Sequence, residues 1–555
     1  MRRPVPTTLL TIAVLASNGC SGLLRGYAEG ESTALGESLP ETYGATSGMV
    51  RFALDDLGTL NTDALETHAL PWKVAVAALL VNRRALGEDI PLEPEAILPI
   101  LREFGFVTPD TIRNWEGAPY PGFADGPVGM LRGVARRGFP RVVVEVAGLG
   151  CASCHAGVLY DESGNPTNEV WLGLPNTSLN LGAYSDALSK AYSHAVSVPD
   201  RILAALDTLY PALNAEERHT IEEHVLPGLM EEVPELNRRF GSLSPFNPGG
   251  PGTPNGVGSL KRMLGLLEET RDDEVSLAQI PDLGDRVLRT SLTVDGAYRI
   301  PGRPRFAAMT PDEVDARHLD GLTRIAAFFA MPAMGARAGR IERSVPRVRE
   351  IMEYLRHYRP PPFPGPVDSA LARRGRSVYD RACAECHGTY APGLEGRLTE
   401  FPNALVAGDD IGTDPVRWQS ASPDVLAVLE ELDYARYLDP APTGGYVAPP
   451  LTGLWATAPY LHNASVPTLW HLMHPELRPG RFEVGGHMLD YDRLGLAGVL
   501  DREGVFRYPE GYRPWSTPFV YDTSIRGQSN GGHSREFAHL SETQKRSLLE
   551  YLKLL

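Results

Sequence analysis

The chain has 555 residues, with 53 Lys and Arg against 69 Asp and Glu, for a formal net charge of −16. That acidic excess argues against nucleic acid or anionic lipid as a main partner. With 43% hydrophobic and 22% charged residues, the composition is that of a folded protein of several domains.

At the N-terminus, Arg2 and Arg3 precede an apolar run from Leu9 to Ala16, then small residues and Cys20. This is the layout of an export signal over residues 1–20, and it predicts a periplasmic or extracellular protein. Ser17-Asn18-Gly19-Cys20 is close to a lipobox that lacks its usual Leu. Lipid anchoring through Cys20 and ordinary cleavage are both open. The apolar run is too short to span a bilayer, and no later segment reaches that length without charge. No transmembrane span is expected in the mature chain.

Residues 21–60 read as a lead-in, 61–358 as an enlarged N-terminal domain, 359–368 as a Pro-rich linker (Pro360 to Pro366), and 369–555 as a C-terminal domain. Val142-Val143-Val144 is the clearest strand signal. A Gly/Pro cluster from Pro248 to Gly256 reads as a loop. Helical spacing runs through Ile202, Leu203, Leu206 and Leu209, and from Val314 to Phe328. It recurs in Val348, Ile351, Met352 and Leu355, where Ser344 is the expected cap. Gly375, Val378 and Tyr379 predict a helix leading into Cys383. Ser541 and Gln544 form a capping box for a last helix carrying Leu548, Leu549, Tyr551 and Leu552. The two helices are expected to cross with Gly375 against Leu552 or Tyr551. The predicted fold is mainly α with extensive irregular loops.

Apart from Cys20, the cysteines form two motifs, Cys151-Ala152-Ser153-Cys154-His155 and Cys383-Ala384-Glu385-Cys386-His387. Cys-x-x-Cys-His is the attachment signature of c-type haem. Two thiols three positions apart reach the two vinyl groups of one porphyrin, and the next residue sets an imidazole under the iron. Paired Cys-x-x-Cys can also hold zinc, act as a redox dithiol or close a disulfide. None of these needs the histidines. With 14 His in 555 residues, chance places one after both pairs at a frequency of roughly six in ten thousand. The expectation is two covalently bound haems c, on Cys151 and Cys154 and on Cys383 and Cys386, with His155 and His387 as proximal ligands.

The stretch Leu451-Thr452-Gly453-Leu454-Trp455-Ala456-Thr457-Ala458-Pro459-Tyr460-Leu461-His462-Asn463-Ala464-Ser465-Val466-Pro467-Thr468-Leu469 resembles the C-terminal signature of the dihaem cytochrome c peroxidase superfamily. Arg478-Pro479 with Phe482, Asp522-Thr523-Ser524 and Ser529-Asn530-Gly531-Gly532-His533 are most similar to its rubber oxygenase-like branch. The resemblance implies two haems close enough to exchange electrons. It implies a partner that is a small redox protein, and a reaction with peroxide, dioxygen or an organic substrate. Two departures stand out. Asn463-Ala464-Ser465 replaces the usual Asn-Gly-Ser. Trp171 is the only Trp between the motifs, and it lies close behind the first, so it is not assigned the bridging place that family enzymes give a Trp.

What occupies the sixth position of each iron decides between electron transfer and chemistry. For the second haem the resemblance favours His533 as distal ligand. His462 is next, and His487 and Met488 are alternatives. For the first haem no distal ligand is named. Phe246, Phe328 and Phe329 could line an apolar pocket, and His194, His219, His224 or His318 could serve as a base, although each also fits plain core or helix surface. The expected function is a haem-dependent oxidoreductase, peroxidase-like or oxygen-activating at the first haem with electron transfer through the second. The competing reading is a non-catalytic dihaem electron carrier.

Overall fold

Burial alternates from Val142 to Val146, and the Val142-Val143-Val144 signal extends into a strand, Val142–Leu149. It pairs antiparallel with Met130–Arg137, from Met130 opposite Leu149 to Arg137 opposite Val142. Leu70–Pro71 adds a third strand on its other edge. The computed structural model describes residues 47–64, 67, 69–117, 120, 126–240, 249–254, 276–333, 341–392, 396–430, 437–514 and 516–555. The export signal with Cys20, Phe246, and Pro248, Asn255 and Gly256 of the Gly/Pro cluster lie outside them.

The expectation of a mainly α fold is overturned. Among the described residues 40% are helix and 17% strand, so this is a mixed α/β protein whose strands form many small sheets. Arg481–Val484, Phe519–Asp522, Val505–Arg507 and Val499–Leu500 make a four-stranded sheet in the C-terminal part. Most strands are two to five residues long, too short for an alternating pattern to stand out from loop sequence.

The helices follow their apolar stripes more closely. Pro199–Leu209 buries Ile202, Ala205, Leu206 and Leu209. Ile341–His357 buries Val348, Ile351, Met352 and Leu355. Ser344 is not its cap, because the helix starts three residues earlier and the Ser344 hydroxyl donates to the Ile341 carbonyl at 2.7 Å. Ser47–Leu54 packs on this helix through Arg51, which pairs with Glu350 at 2.6 Å, and through Asp55, which Arg347 meets at 3.2 Å. Among the described residues, no helix is long and apolar enough to cross a membrane.

Helix Ser369–Ala382 leads into the second motif. Asp368 caps it, accepting from Ala370 N and Leu371 N at 2.9 Å each. Glu542–Leu552 opens on the expected Ser541/Gln544 capping box and lies across it. The small residue at the crossing is Gly375, but its partners are the Ser547 carbonyl and Leu548, not Leu552 or Tyr551. The crossing lies about one turn before the expected place, and Tyr551 instead packs on Tyr379 with ring centroids 5.3 Å apart. A Cβ at Gly375 would overlap the Ser547 carbonyl, so Gly375→Val is expected to destabilise the chain by roughly 1–3 kcal/mol through overpacking. Thermal unfolding followed by circular dichroism measures this, and an unchanged midpoint contradicts the crossing.

Candidate haem sites

Each Cys-x-x-Cys sits on one short helical turn, Cys151–Cys154 in the first motif and Cys383 with Ala384–His387 in the second. Residues three apart on such a turn share a face, so both thiols of a pair point the same way. All four thiols are free. Burial pushes Cys151, Cys154 and Cys383 up to about 12, the opposite of what a reactive dithiol needs. Among the described residues, no three His, Cys, Asp or Glu side chains converge as a metal-ion site.

The approaches to the two turns differ. The first follows strand Val142–Leu149 and runs into Ala156–Tyr160, which pairs with Pro166–Leu172. Asn176 clamps this turn, with its N–H donating to the Cys154 carbonyl at 2.8 Å and its amide to Ser153 and Gly105. The second follows a full helix, with Cys383 N donating to the Tyr379 carbonyl at 2.8 Å.

Burial drives His155 down to about 4, with the Pro281 carbonyl opposing the shift. His387 is also lowered by burial, and its Nδ1 meets the Pro449 carbonyl at 2.8 Å. Each imidazole is therefore neutral near pH 7. At His387, the carbonyl fixes the proton on Nδ1 and leaves Nε2 as a lone-pair donor, the arrangement of a metal-ligating histidine. Pro281 and Pro449 went unassigned in the sequence. The signal that could have found them is a Pro-x-Leu downstream of each motif, Pro281-Asp282-Leu283 and Pro449-Pro450-Leu451.

His533 faces His387. Their rings are 6.3 Å apart, centroid to centroid, and inclined by 28°. Two metal–imidazole bonds of about 2 Å, plus about 1.1 Å from each nitrogen to its ring centre, span the same length. His533 is depressed to about 3 by burial, with His387 and Arg478 adding to the shift. Both rings lie deep in the protein yet keep partial exposure, as the walls of an internal cleft do. With two thiols on one turn and two neutral imidazoles across from each other, the donors present fit a covalently held haem.

The loop that carries His533 is held from three directions. Arg478 donates to the carbonyls of His471 and Leu472 at 3.1 and 2.7 Å, to Gly532 at 2.9 Å, and to Asn530. Asp414 accepts from Gly527 N and Ser529 N at 3.2 and 3.1 Å, and Asn463 donates to the Ser529 carbonyl at 3.0 Å. His533 itself sits at φ 57°, a left-handed conformation that needs such support.

His462 does not face His387. Its ring stacks on Tyr446 at 4.1 Å, its Nδ1 is 3.4 Å from the Thr413 hydroxyl, and its Nε2 is buried without a hydrogen bond. It lies behind the His533 loop, where Thr413 also packs on Gly532. His487 lies in a different interior region, its N–H donating to the Tyr512 hydroxyl at 3.0 Å, and the Met488 carbonyl accepts from Ala497. His318 is tied to the Val287 carbonyl at 2.7 Å. His194 is on helix Leu181–Ala195, while His219 and His224 lie in the helical stretch that begins at Ala215. Phe328 packs on Phe329, and Phe329 on Tyr298. Trp171 donates to the Arg359 carbonyl at 3.0 Å.

One segment of the chain is similar to a known cytochrome c-like family. Residues 445–483, which include Pro449, His462 and Arg478, match the RoxA-like, cytochrome c-like family. The match implies covalently bound haem c and, at the coarse level, a haem-dependent oxidoreductase. It supports the rubber oxygenase-like side of the resemblance over those residues alone. Among curated proteins, the chain is similar to the uncharacterized protein y4iJ of Sinorhizobium fredii, 30% identical over 263 residues, covering 36% of this chain and 41% of the relative. It is also similar to the uncharacterized protein y4iM of the same organism, 28% identical over 251 residues, covering 37% of this chain and 52% of the relative. The chain thus spans about half or less of the length of the curated relatives it matches.

Arg478→Ala removes hydrogen bonds from a charged group to four buried or half-buried carbonyls, with an expected loss of roughly 2–4 kcal/mol. Arg478→Lys should not restore it, because a point charge cannot reproduce the planar fork. Thermal midpoints of the three proteins test this, and full rescue by Lys contradicts it. Ala464, where the family pattern has Gly, is held at φ 57°. Ala464→Gly is expected to stabilise by up to about 1 kcal/mol, read as a higher midpoint in urea.

Proposed function

We propose that the chain is an exported two-haem c-type cytochrome acting as an oxidoreductase, with electron transfer at the second haem and chemistry at the first. The facing of His387 and His533 at 6.3 Å carries this reading, because it supplies two strong axial donors at one site. Cys383 and Cys386 would hold that haem, and Cys151, Cys154 and His155 the other. The Leu9–Ala16 run and Cys20 support export, with Cys20 as a point of lipid attachment.

A bound haem supplies one-electron and oxygen chemistry, and the protein sets which of these is available. Pro449 orients the His387 imidazole through its carbonyl. At the second site His533 closes the far side, and Arg478, Asp414 and Asn463 keep it there. Such a site gives and takes electrons without admitting substrate. No histidine stands opposite His155 in a comparable way among the described residues, which supports placing peroxide or dioxygen chemistry there. A small redox protein would exchange electrons with the second site. The rubber oxygenase-like signature supports an oxygen-activating reaction on an organic substrate, and the superfamily resemblance supports peroxide reduction.

A pyridine haemochrome assay should give two haems per chain. Electron paramagnetic resonance of the oxidised protein should show one low-spin haem with two strong ligands and one with an open or weakly held side. His533→Ala should convert the low-spin signal and leave the other unchanged. Two low-spin irons, in the resting and half-reduced states alike, would instead favour the pure electron carrier. Peroxide with a reduced cytochrome, against polyisoprene latex with oxygen, separates the two enzymatic versions.

A further inference from the structure

The loops that orient the two proximal histidines interlock. Asp282 follows Pro281, and its carboxylate accepts from Gly284 N at 2.6 Å and from the Tyr358 hydroxyl at 2.9 Å. The same carboxylate packs against Gly453, whose φ of +76° and missing Cβ make the approach possible. Three residues on, Asp285 accepts from the Thr452 hydroxyl at 2.6 Å. Leu451 N in turn donates to the Tyr390 hydroxyl at 2.9 Å, and Tyr390 lies three residues past His387. On the other side, Leu283 N donates to the Gly173 carbonyl at 3.1 Å, and Gly173 N donates to the His155 carbonyl at 2.8 Å. A short run of hydrogen bonds and packed backbone thus joins His155 to His387.

Arg286 belongs to this junction, its Nε donating to the Asp282 carbonyl at 2.9 Å. We propose that Arg286, held where segment Pro281–Arg286 locks onto Pro449–Gly453, is a shared cation that sets the reduction potentials of both haem sites together. The proposal rests on the reading that both Cys-x-x-Cys-His motifs carry haem. Arg286 follows Asp285, which holds Thr452 three residues past the Pro449 that meets His387, and it lies three residues past Leu283, whose N–H joins Gly173 and through it the His155 carbonyl. Burial lowers Arg286 itself to about 10, with Asp282 and Asp285 opposing, so it remains charged at neutral pH. The other charges of the junction are Asp285, which faces Arg359 at 3.7 Å and also feels Arg397, and Arg289, whose Nε and Nη2 are bound to the Ser291 and Thr293 carbonyls.

A fixed cation near an iron disfavours the more positive oxidised state and raises the potential. Spectroelectrochemical titration of the full chain tests this, after haemochrome counting has shown two haems in each protein used. Arg286→Gln should lower both midpoint potentials, Arg286→Lys should keep both near wild type, and Asp285→Asn should raise both. A change at one haem alone, or at neither, in Arg286→Gln with both haems retained overturns the proposal. If Arg286→Gln does not fold, Asp285→Asn decides: both potentials rising supports the shared cation, and any other pattern overturns it. A wild-type chain with fewer than two haems overturns the two-haem reading first, and this proposal with it, so the two failures are distinguishable.

Discussion

The contact between the Asp282 carboxylate and the Pro449–Gly453 segment is the constraint on which the rest of the arrangement depends. A buried carboxylate is costly, and burial holds Asp282 at about 7 despite two hydrogen bonds. That cost is offset only if Gly284, Tyr358, Arg286 and Gly453 all keep their places. Tyr358 follows helix Ile341–His357, Gly453 opens the turn to Trp455, and Leu283 joins Gly173, which holds the His155 carbonyl. One polar group therefore ties the helical part of the first half to the proximal loop of the second. Partly satisfied, such a network would be worse than an apolar contact, so it specifies one relative placement of the two sites.

The two motifs were legible in the sequence because their chemistry is local. Cys151 to His155 and Cys383 to His387 each need only five consecutive residues. The helix Ser369–Ala382 and the capping box at Ser541 and Gln544 were legible for the same reason, since capping and 3.6-residue spacing are set within a turn or two. The facing of His387 and His533 could be approached only through the resemblance, since 146 residues separate them in a chain whose register over that distance is set by packing. What stayed hidden was long-range or short in extent. Pro449 acts through its backbone carbonyl, which carries no side-chain signature. The small sheets that overturned the mainly α expectation are stabilised by pairing across the chain, and their strands are too short to show a period.

The absence of a bridging Trp between the motifs also looks different in three dimensions. Trp171, close behind the first motif, donates its indole N–H to the carbonyl of Arg359, whose guanidinium faces Asp285 in the junction. Trp455 comes after the second motif, yet it is fully buried and packs on Tyr160, five residues past His155, with ring centroids 6.3 Å apart. Its own N–H is fixed on the Pro361 carbonyl at 3.2 Å, and Phe363 of the same Pro-rich stretch packs on its ring. The residue that brings an aromatic ring to the first site is thus supplied by the segment whose start, Pro449, supports the second. Gly453, two residues before Trp455, is the residue that touches Asp282. Polar and aromatic links between the sites therefore arise from one stretch of seven residues, Pro449 to Trp455, which falls inside the cytochrome c-like segment 445–483. A change that loosens this stretch reaches both histidines at once, through Pro449 at His387 and through Asp282, Leu283 and Gly173 at His155. A substitution at this junction therefore disturbs the surroundings of both Cys-x-x-Cys-His turns, whereas one at His533 lies on the far side of the second alone.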